Sequence, residues 1–560
     1  MKRIYVKEEW CLGCHLCEYN CAFANSGKPD MTEALKRKPI FPRIHIEEGE
    51  KICYAVSCRH CTDPLCIKSC IAGAISKIDG VVHIDQNKCV GCLTCVLVCP
   101  YGALAPNEKG IMQKCELCIA NTCCEPACVK GCPNRAIVYE ERVSRMTQYV
   151  VIGNGVAAVG CIEGIRKEDA AGKIIVISKE PHPVYCRPLI SYYLEGKTNL
   201  ERMAYRDKNF YERMECEVLY GKKAVQIDPS TKQIALNDDT VIPYDKLCIA
   251  TGSSPFVPPF TGLESVEQKH SFMTIDDMLE LEASINENSD VLIVGAGLIG
   301  LKCAEGLKDR VSSITICDLA DRVLSSILDA DCAAIMQKHL EQNGINFMLN
   351  DSAISFDKNT AFMKSGKTVR FDVLVLAVGV RANTSLIKGI GGEVNRGILI
   401  SNKMETSIPD IYAAGDCTEG EDISFHDKRV LAILPNAYMQ GNCAGINMAG
   451  GSSVFDKGIP MNSIGFFGLH AMTAGSYYTA EQGCELYEEK SEGTLKRLFT
   501  SGDYLTGFIL IGATERAGIY TSLIRERIPL SSIDFEMLKK TATSTAFSVE
   551  KRKQFFGGVV

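Results

Sequence analysis

Long uninterrupted apolar runs are missing from this sequence of 560 residues. A helix that spans a bilayer needs about 20 consecutive apolar residues, so no transmembrane segment is predicted. The opening residues, MKRIYVKEEWC, also lack the apolar stretch of a secretory signal peptide. An excess of positive charge is missing as well: the net charge is −7, which argues against nucleic acid as the main partner. We therefore expect a cytoplasmic protein of several globular domains.

Cysteine, in contrast, is abundant and unevenly placed. The chain has 29 cysteines, and 19 of them precede residue 133. In a long chain without an export signal, such cysteines are more often metal ligands than disulfides. Sixteen fall into four groups whose close spacing suits an iron–sulfur cluster, which predicts storage and transfer of single electrons. The groups are Cys11, Cys14, Cys17 and Cys21; Cys58, Cys61, Cys66 and Cys70; Cys89, Cys92, Cys95 and Cys99; and Cys115, Cys118, Cys128 and Cys132.

The fourth cysteine of each group is predicted to serve a different cluster from the first three. This exchange of the fourth cysteine is known for the bacterial CxxCxxCxxxCP run. We expect the two middle groups to exchange their fourth cysteines with each other, and the two outer groups to do the same. The predicted ligand sets are Cys58, Cys61, Cys66 and Cys99; Cys89, Cys92, Cys95 and Cys70; Cys11, Cys14, Cys17 and Cys132; and Cys115, Cys118, Cys128 and Cys21.

Three cysteines in this region lie outside the pattern: Cys53, Cys123 and Cys124. We interpret them as ordinary buried thiols, with a labile extra site as the alternative. Cys123 or Cys124 could also replace Cys128, since they lie in the same loop. Zinc is the rival metal for CxxC pairs, but it rarely needs a fourth cysteine at this spacing.

Residues 1–140 resemble the four-cluster ferredoxin-like electron-transfer subunits of molybdopterin reductases, hydrogenases and carbon monoxide dehydrogenases. The resemblance rests on CRHCTDPLCIKSC in the second group and on CELC with EPACVKGCP in the fourth. The first group departs from the family by ending in Cys21-Ala22 instead of Cys-Pro, which removes no ligand. The resemblance implies four [4Fe-4S] clusters and a redox protein partner.

The texture of the sequence changes near residue 146, which predicts a domain boundary. Beyond it, apolar runs alternate with helical patterns and glycine turns, as is typical of α/β units. Two segments look alike: QYVVIGNGVAAV at 148–159 and DVLIVGAGLIGL at 290–301. Each is a short apolar strand, a glycine turn and the start of a helix. This duplication predicts two dinucleotide-binding folds.

The first of these turns matches GxGxxA, with Gly153, Gly155 and Ala158 at its fixed positions. Glycine permits a tight turn and the close approach of a pyrophosphate to the N–H groups of a helix N-terminus. Glu180 follows the next apolar strand, where a ribose hydroxyl would be bound. The alternative is a glycine turn without a ligand.

The second turn keeps the third glycine of the fingerprint. Its predicted cofactor-binding residues are Gly295, Gly297, Leu298, Ile299 and Gly300. The strand SITIC then ends at Asp318, whose carboxylate would bind the ribose 2′-hydroxyl and repel a 2′-phosphate. Arg310 and Arg322 are near, but neither directly follows Asp318. NAD(H) is therefore preferred to NADP(H).

Two further segments, LCIATGSSP with Thr251 and Gly252 and DIYAAGDCTE with Asp416, resemble motifs of the flavoprotein disulfide reductase superfamily. The resemblance covers about residues 148–450. It implies FAD in the first dinucleotide fold, with Asp416 on the ribityl chain, and NAD in the second. Gly379 is also assigned to cofactor binding.

The stretch EPHPVYCRPLISYYLEGK looks like the branch of NADH:rubredoxin reductases, dioxygenase ferredoxin reductases and the flavin part of NADH nitrite reductases. The matching Arg-Pro pair there packs beside the flavin, so Arg187 and Pro188 are candidates. Cys186 precedes the position of a flavin-facing cysteine, and we interpret it as a packing thiol rather than a redox group. The ferredoxin reductases have a Lys–Glu pair near the flavin, where this chain has Tyr192 and Lys302.

These last two residues are the catalytic candidates. The hypothesis is that Lys302 lies by the nicotinamide and stabilises reduced flavin, and the alternative is an exposed helix lysine. A peroxide or thiol reductase would need a flavin-facing cysteine, which the motif does not supply.

The predicted architecture is α/β, with an N-terminal α+β ferredoxin-like domain, two Rossmann-like folds and a C-terminal α+β lobe. The predicted domains are 1–146 for the clusters, 147–268 with 386–453 for FAD, 269–385 for NAD, and 454–560 for an interface lobe. The last resembles the domain through which many relatives dimerise, so a homodimer is expected.

Together these features predict a protein that converts between the two-electron chemistry of NAD(H) and the one-electron chemistry of clusters, through FAD. Carbon monoxide dehydrogenase is the donor that the resemblance favours, with reduction of NAD⁺. The alternatives are a docking subunit of a hydrogenase, formate dehydrogenase or other reductase, and an NADH-driven reductase of an external acceptor.

Overall fold

The computed structural model describes residues 2–36, 40–49, 52–61, 64–119, 125–141, 146–425, 427–477 and 484–556, with side chains up to residue 552. Cys123 and Cys124 lie outside the described residues. The chain divides into two compact units, Met1–Arg145 and Met146–Val560. Each unit has its own buried apolar clusters. Within the described ranges, no helix combines the length and the apolar character needed to cross a bilayer.

The first unit is built from short antiparallel pairs and short helices. Its strands are β1 Arg3–Val6, β2 Ile44–Glu48, β3 Cys53–Ser57, β4 Ile75–Ile78, β5 Val81–Ile84, β6 Ala105–Pro106, β7 Met112–Gln113 and β8 Ile137–Glu140; its helices are α1 Leu16–Ala24, α2 Met31–Leu35, α3 Leu65–Lys68, α4 Thr94–Val98 and α5 Ala127–Lys130. β1 pairs with β8, so the end of the unit returns to its beginning. The other pairs are β2 with β3, β4 with β5 and β6 with β7. Helices this short depend on tertiary contacts for stability, and all but α2 carry cysteines of the predicted ligand sets.

The second unit contains two five-stranded parallel sheets in which four strands share the same order and connections, whereas the fifth strand follows the others in one sheet and precedes them in the other. Its strands up to residue 429 are β9 Gln148–Ile152, β10 Lys173–Ser178, β11 Cys216–Tyr220, β12 Ala224–Asp228, β13 Gln233–Leu236, β14 Val241–Pro243, β15 Lys246–Ile249, β16 Ser253–Pro255, β17 Lys269–His270, β18 Asp290–Val294, β19 Ser313–Asp318, β20 Asn346–Leu349, β21 Ala353–Asp357, β22 Thr360–Met363, β23 Thr368–Arg370, β24 Val373–Leu376, β25 Val380–Ala382, β26 Ile398–Leu399, β27 Ile411–Ala413, β28 Thr418–Asp422 and β29 Asp427–Arg429. The strand orders are β11-β10-β9-β15-β27 and β17-β24-β18-β19-β20. A three-stranded antiparallel sheet, β12–β14 or β21–β23, is inserted at the same point of each. The predicted duplication of a doubly wound fold is confirmed.

Helices cover these sheets and connect their strands. The helices of the second unit are α6 Val156–Glu168, α7 Leu189–Leu194, α8 Phe210–Arg213, α9 Ile275–Ser284, α10 Leu298–Leu307, α11 Ala330–Gln342, α12 Ser385–Lys388, α13 Leu434–Met448, α14 Gly518–Arg525, α15 Phe535–Lys540 and α16 Val549–Phe556. The central strands β9 and β18 are buried on both faces, which explains why they read as continuous apolar runs.

Helices α6 and α13 pack backbone against backbone. Glycines spaced four residues apart on each helix permit this contact: Gly160 and Gly164 on α6, and Gly441 and Gly445 on α13. A Cβ at Gly441 would overlap the carbonyl oxygen of Ala157, which is in the first turn of α6. The position of that turn therefore depends on a helix almost 300 residues further along the chain.

The C-terminal part forms one antiparallel sheet backed by α14 and α15. Its strands are β30 Met461–Phe466, β31 Leu469–Gly475, β32 Glu485–Ser491, β33 Thr494–Ser501 and β34 Tyr504–Ile511, in the order β30-β31-β34-β33-β32. Phe508 and Tyr520 fill its core, and the Tyr520 hydroxyl donates to the Leu538 carbonyl at 2.6 Å. The predicted fold class, including an α+β C-terminal lobe, is thus observed.

Candidate cofactor sites

Cysteines from both ends of the first unit line one of its cavities. Cys11, Cys14 and Cys17 come from α1 and the loop before it, and Cys132 follows α5. The pairing of β1 with β8 brings these distant segments together. The cavity therefore gathers one complete ligand set predicted from the sequence.

A second cavity is lined by another complete set, Cys70, Cys89, Cys92 and Cys95. Its other walls include apolar side chains from β4, β5 and β7. Cys92 is exposed, and the Thr94 hydroxyl beside it lowers the pKa of the Cys92 thiol. Thiolate is the form that binds metal, so this hydrogen bond favours ligation.

In each of the remaining two sets, the predicted partners affect the pKa of one cysteine thiol. Burial raises the pKa of the Cys66 thiol, and the neighbouring Cys58, Cys99 and Cys61 raise it further. Burial likewise raises the pKa of the Cys128 thiol. The cysteines that add to this second effect include the other three of its predicted set, Cys115, Cys21 and Cys118. The two cavities therefore each bring a complete predicted set together, and in each of the other two sets one thiol is influenced by its three predicted partners.

In the described part of the chain, no three His, Cys, Asp or Glu side chains are arranged to hold a single metal ion. In the two sets that have cavities, the cysteines instead line a shared space, as four ligands of a cubane must.

A buried histidine adds an unsatisfied polar atom to this region. His60, between Cys58 and Cys61, is fully buried, and burial lowers its pKa to about 3, so the ring is neutral. Its Nδ1 accepts the Val82 N–H at 3.1 Å, which places the proton on Nε2. Among the described residues, Nε2 has no hydrogen-bond partner. A buried donor left without an acceptor fits a site that an anionic cluster completes.

The first glycine turn leads directly into α6. Gly153 has a φ of 114°, and the carbonyl of Ala250 occupies the space where a Cβ would be. At Gly155 a Cβ would meet no atom within 4 Å, and no side chain caps the first turn of α6. Uncapped N–H groups beside open space form a cradle that fits the pyrophosphate of a dinucleotide. Ala158 is buried within the same turn of the helix.

Three of the predicted FAD residues meet at the end of β10. Arg187 forms an ion pair with Glu180, and the Tyr185 hydroxyl donates to the other Glu180 oxygen at 2.6 Å. Burial raises the pKa of the Asp416 carboxyl, and the nearby Arg187 guanidinium opposes this effect. Pro188 precedes the first residue of α7. Tyr185 was not predicted, because nothing local marks its hydroxyl as a partner of Glu180.

The strands β16 and β25 join the two dinucleotide folds. Thr251 Oγ1 donates to the Asn383 carbonyl at 3.0 Å, and the Asn383 amide donates to the Thr251 carbonyl at 2.9 Å. Gly252 and Gly379, which flank this connection, have φ values of 61° and 106° and open space at the Cβ position. Both glycines therefore leave room for a ligand where the chain passes between the folds.

The second glycine turn repeats the cradle at the start of α10, whose first two residues are Leu298 and Ile299. Gly297 faces open space and no side chain caps the helix, whereas a Cβ at Gly300 would overlap the Gly295 carbonyl. The Asp318 carboxylate lies beside this turn and accepts the Ala296 N–H at 2.6 Å. Its other oxygen accepts the Ala320 N–H at 2.8 Å.

Both arginines close to Asp318 in sequence are engaged elsewhere. Arg310 pairs with Glu282 at 2.6 Å, and Arg322 pairs with Asp321 at 2.7 Å. A 2′-phosphate would therefore meet the Asp318 carboxylate without a guanidinium aimed at it, which favours NAD(H).

Asp318→Asn is expected to lower the preference for NADH over NADPH by roughly 10- to 100-fold. The substitution removes the negative charge that would bind the ribose hydroxyl and repel a 2′-phosphate. It also places an amide N–H against a backbone N–H. The expected size follows because a hydrogen bond to a charged group contributes about 1.5–3 kcal/mol. The ratio of kcat/KM values for the two nucleotides measures this effect. Asp309→Asn, at an exposed residue just after α10, is the control and should leave the ratio unchanged. An unchanged ratio in Asp318→Asn would refute the assigned role.

Lys302 and Tyr192 are brought together. The Lys302 ammonium donates to the Glu305 carboxylate and to the Gly465 carbonyl, both at 2.6 Å. It lies 4.9 Å from the centroid of the Tyr192 ring. The side chain is only 20% exposed, so an exposed helix lysine does not describe it. Glu305, three residues further along the same helix face, was missed by the sequence interpretation, although its i, i+3 spacing was a signal.

Cys186 is half-buried, and burial raises the pKa of its thiol. A raised pKa leaves little thiolate at neutral pH, which is consistent with a packing thiol rather than a reactive one.

These folds and cradles define a pyridine-nucleotide flavoprotein linked to an iron–sulfur domain. Residues 147–441 match the model of the pyridine nucleotide-disulphide oxidoreductase family, and residues 51–142 match a 4Fe-4S dicluster domain. The chain belongs to the pyridine nucleotide-disulphide oxidoreductase family. It is an FAD-dependent NAD(P)H oxidoreductase with an iron–sulfur electron-transfer domain, which confirms the predicted family, enzyme class and use of FAD and NAD(H).

The chain is 31% identical over 406 residues to NADH-dependent phenylglyoxylate dehydrogenase subunit epsilon of Aromatoleum evansii, covering 70% of this chain and 95% of that protein. It is 30% identical over 387 residues to the assimilatory nitrate reductase electron transfer subunit of Bacillus subtilis (strain 168), covering 68% of this chain and only 49% of that protein. The putidaredoxin reductase–putidaredoxin complex has a similar fold, with a TM-score of 0.65 at 21% identity over 71% of this chain and 99% of that chain.

Proposed function

We propose that this protein transfers electrons between NAD(H) and a partner redox protein, with FAD as the converter and four [4Fe-4S] clusters as the path. The observation that carries the proposal is that two cavities are each lined by the four cysteines of a predicted ligand set, in the same chain as two dinucleotide folds. The match to a dicluster domain supports iron–sulfur ligation. The count of four clusters is part of the proposal.

The residues of the chain would hold and tune the cofactors. FAD, when bound, exchanges a hydride with a nicotinamide and single electrons with clusters. The cradle at Gly155 would hold its pyrophosphate, Glu180 a ribose hydroxyl, and Asp416 the ribityl chain, with Arg187 beside the flavin. The cradle at Gly297 and the carboxylate of Asp318 would hold NAD(H). No side-chain nucleophile is required.

The partner is proposed to be the catalytic component of a larger dehydrogenase. Similarity to a protein named as a subunit of an NADH-dependent dehydrogenase supports this role. Carbon monoxide dehydrogenase is the donor that the cluster region's resemblance favours, and hydrogenase or formate dehydrogenase are the alternatives. We also propose a homodimer formed through residues 454–560.

NADH-driven reduction of a one-electron dye by the isolated holoprotein tests the proposal. We expect turnover, together with bleaching of the flavin absorbance by NADH alone. Absence of both would contradict an enzyme and favour a docking subunit. Affinity isolation from native cells, analysed by mass spectrometry, tests the partner, and recovery of no CO-, H2- or formate-oxidising enzyme would count against carbon monoxide dehydrogenase.

We further propose that Lys302, supported by Tyr192 and Glu305, lies beside the nicotinamide site and stabilises reduced flavin. Lys302→Met is expected to lower the flavin reduction potential and to slow hydride transfer at least tenfold, a change of about 1.4 kcal/mol in the barrier. Stopped-flow reduction by NADH and a potentiometric titration measure the two quantities. Lys338→Met, at an exposed lysine of α11, is the control. Unchanged potential and rate in Lys302→Met would make this lysine a packing residue.

A further inference from the structure

A lysine in the first unit is buried without a carboxylate partner. The Lys114 side chain is only 1% exposed, although lysine is almost never fully buried unless it is paired. Its ammonium donates to the Val82 carbonyl and, at 2.7 Å, to the Cys115 carbonyl. These are two acceptors for three N–H groups, and both are uncharged. Among the described residues, none supplies the opposite charge.

This lysine lies between two of the predicted ligand sets. On one side it precedes Cys115 and binds that residue's carbonyl. On the other side, the N–H of Val82 donates to His60 Nδ1, which is 3.8 Å from the sulfur of Cys58. The Val82 carbonyl thus accepts a hydrogen bond from the Lys114 ammonium, and the Val82 N–H donates one to the His60 ring. A continuous polar connection runs from the loop of Cys58 to the loop of Cys115.

A buried cation needs a counter-charge. Removal of an ammonium from water costs several kcal/mol, and backbone carbonyls only partly offset that cost. A cluster bound by four thiolates is anionic, and it becomes more negative when reduced. A fixed positive charge in a medium of low dielectric constant stabilises the more negative state most strongly. Charge and hydrogen bonding near the sulfurs are among the features by which a protein sets cluster potentials.

We infer that Lys114 is the buried counter-charge shared by two clusters, and that it raises their reduction potentials. The two are held by Cys58, Cys61, Cys66 and Cys99, and by Cys21, Cys115, Cys118 and Cys128. The inference rests on the proposed ligand sets. Lys114 is a positioning residue, because it acts through the clusters' charge and not on a substrate. Its effect makes these two clusters easier to reduce relative to the other two, and so helps to set the order in which electrons occupy the path.

The full-length holoprotein with Lys114→Met tests this inference. Methionine keeps an unbranched side chain of similar length and removes the charge. A redox titration followed by electron paramagnetic resonance should show two midpoints lowered by at least 59 mV, a tenfold change for one electron, and two midpoints unchanged. Lys114→Arg keeps the charge and should keep the potentials. Lys77→Met is the matched control, because Lys77 donates to the Cys61 carbonyl at 2.8 Å from an exposed position where water screens its charge.

Four unchanged midpoints in Lys114→Met would overturn the inference, and so would an equal shift of all four. Iron and sulfide analysis shows whether each variant has assembled its clusters. Loss of clusters in Lys114→Met with retention in Lys114→Arg supports a need for the charge, whereas loss in both variants overturns it. Fewer than four clusters in the wild-type protein would instead count against the proposed ligand sets.

Discussion

Gly441→Ala is expected to release FAD, with an affinity at least tenfold lower than that of the wild-type protein. The new Cβ would overlap the carbonyl oxygen of Ala157, and both groups are held by helix backbones that cannot rotate away. Overpacking of this kind typically costs about 1–3 kcal/mol. Relief of the overlap requires α6 to move from α13, and Ala157 is two residues from the cradle at Gly155. The flavin-to-protein ratio after gel filtration and the thermal unfolding midpoint measure the effect.

Gly518→Ala provides the matched control. Gly518 is the first residue of α14, and a Cβ there would meet no atom within 4 Å. Because alanine has a higher helix propensity than glycine, this variant should be as stable as the wild type or slightly more stable. It should also keep its FAD. If Gly441→Ala retains FAD as fully as Gly518→Ala does, close packing of α6 and α13 does not position the cradle.

The parts of the fold that sequence patterns predict are those with local causes. The two strand–glycine–helix units are recognisable because a buried parallel strand is a continuous apolar run and because a tight turn demands glycine. The contact between α6 and α13 has no local cause, since it joins residues about 280 apart. Its trace in the sequence is the pair of glycines four residues apart on each helix, which is meaningful only when the partner helix is known.

The cofactor sites likewise combine residues with a local sequence signal and residues that come from distant segments. Asp318 and Glu180 are predictable because a fixed topology places the residue at or just beyond the end of the second strand beside the glycine turn. The partners that hold the catalytic candidates come from distant segments. Glu305 accepts the N–H of Phe467 at 2.7 Å, and that residue belongs to the C-terminal lobe. The burial of Lys114 is likewise invisible in the sequence, because it arises from the packing of β5 against the loop of a later cysteine group.

Cys95→Ser is expected to remove one entire cluster, which lowers the iron content by about a quarter if four clusters are present. Cys95 is buried in α4 and lines a cavity with Cys70, Cys89 and Cys92. A serine hydroxyl is a hard ligand and a poor replacement for a soft thiolate on iron. The flavin fold belongs to a separate unit, so reduction of FAD by NADH should persist. Iron and sulfide analysis, together with the paramagnetic signals of the reduced protein, measures the loss.

Cys53→Ser is the control that separates ligation from general sensitivity to oxidation or misfolding. Cys53 is also partly buried in the first unit, at the start of β3, but it lies outside the four groups. This variant should retain all of its iron and all of the paramagnetic signals. Because the two substitutions are chemically identical, a difference between them can only come from the position of the sulfur. Full iron content in Cys95→Ser, or loss of a cluster in Cys53→Ser, would require a different assignment of the ligands.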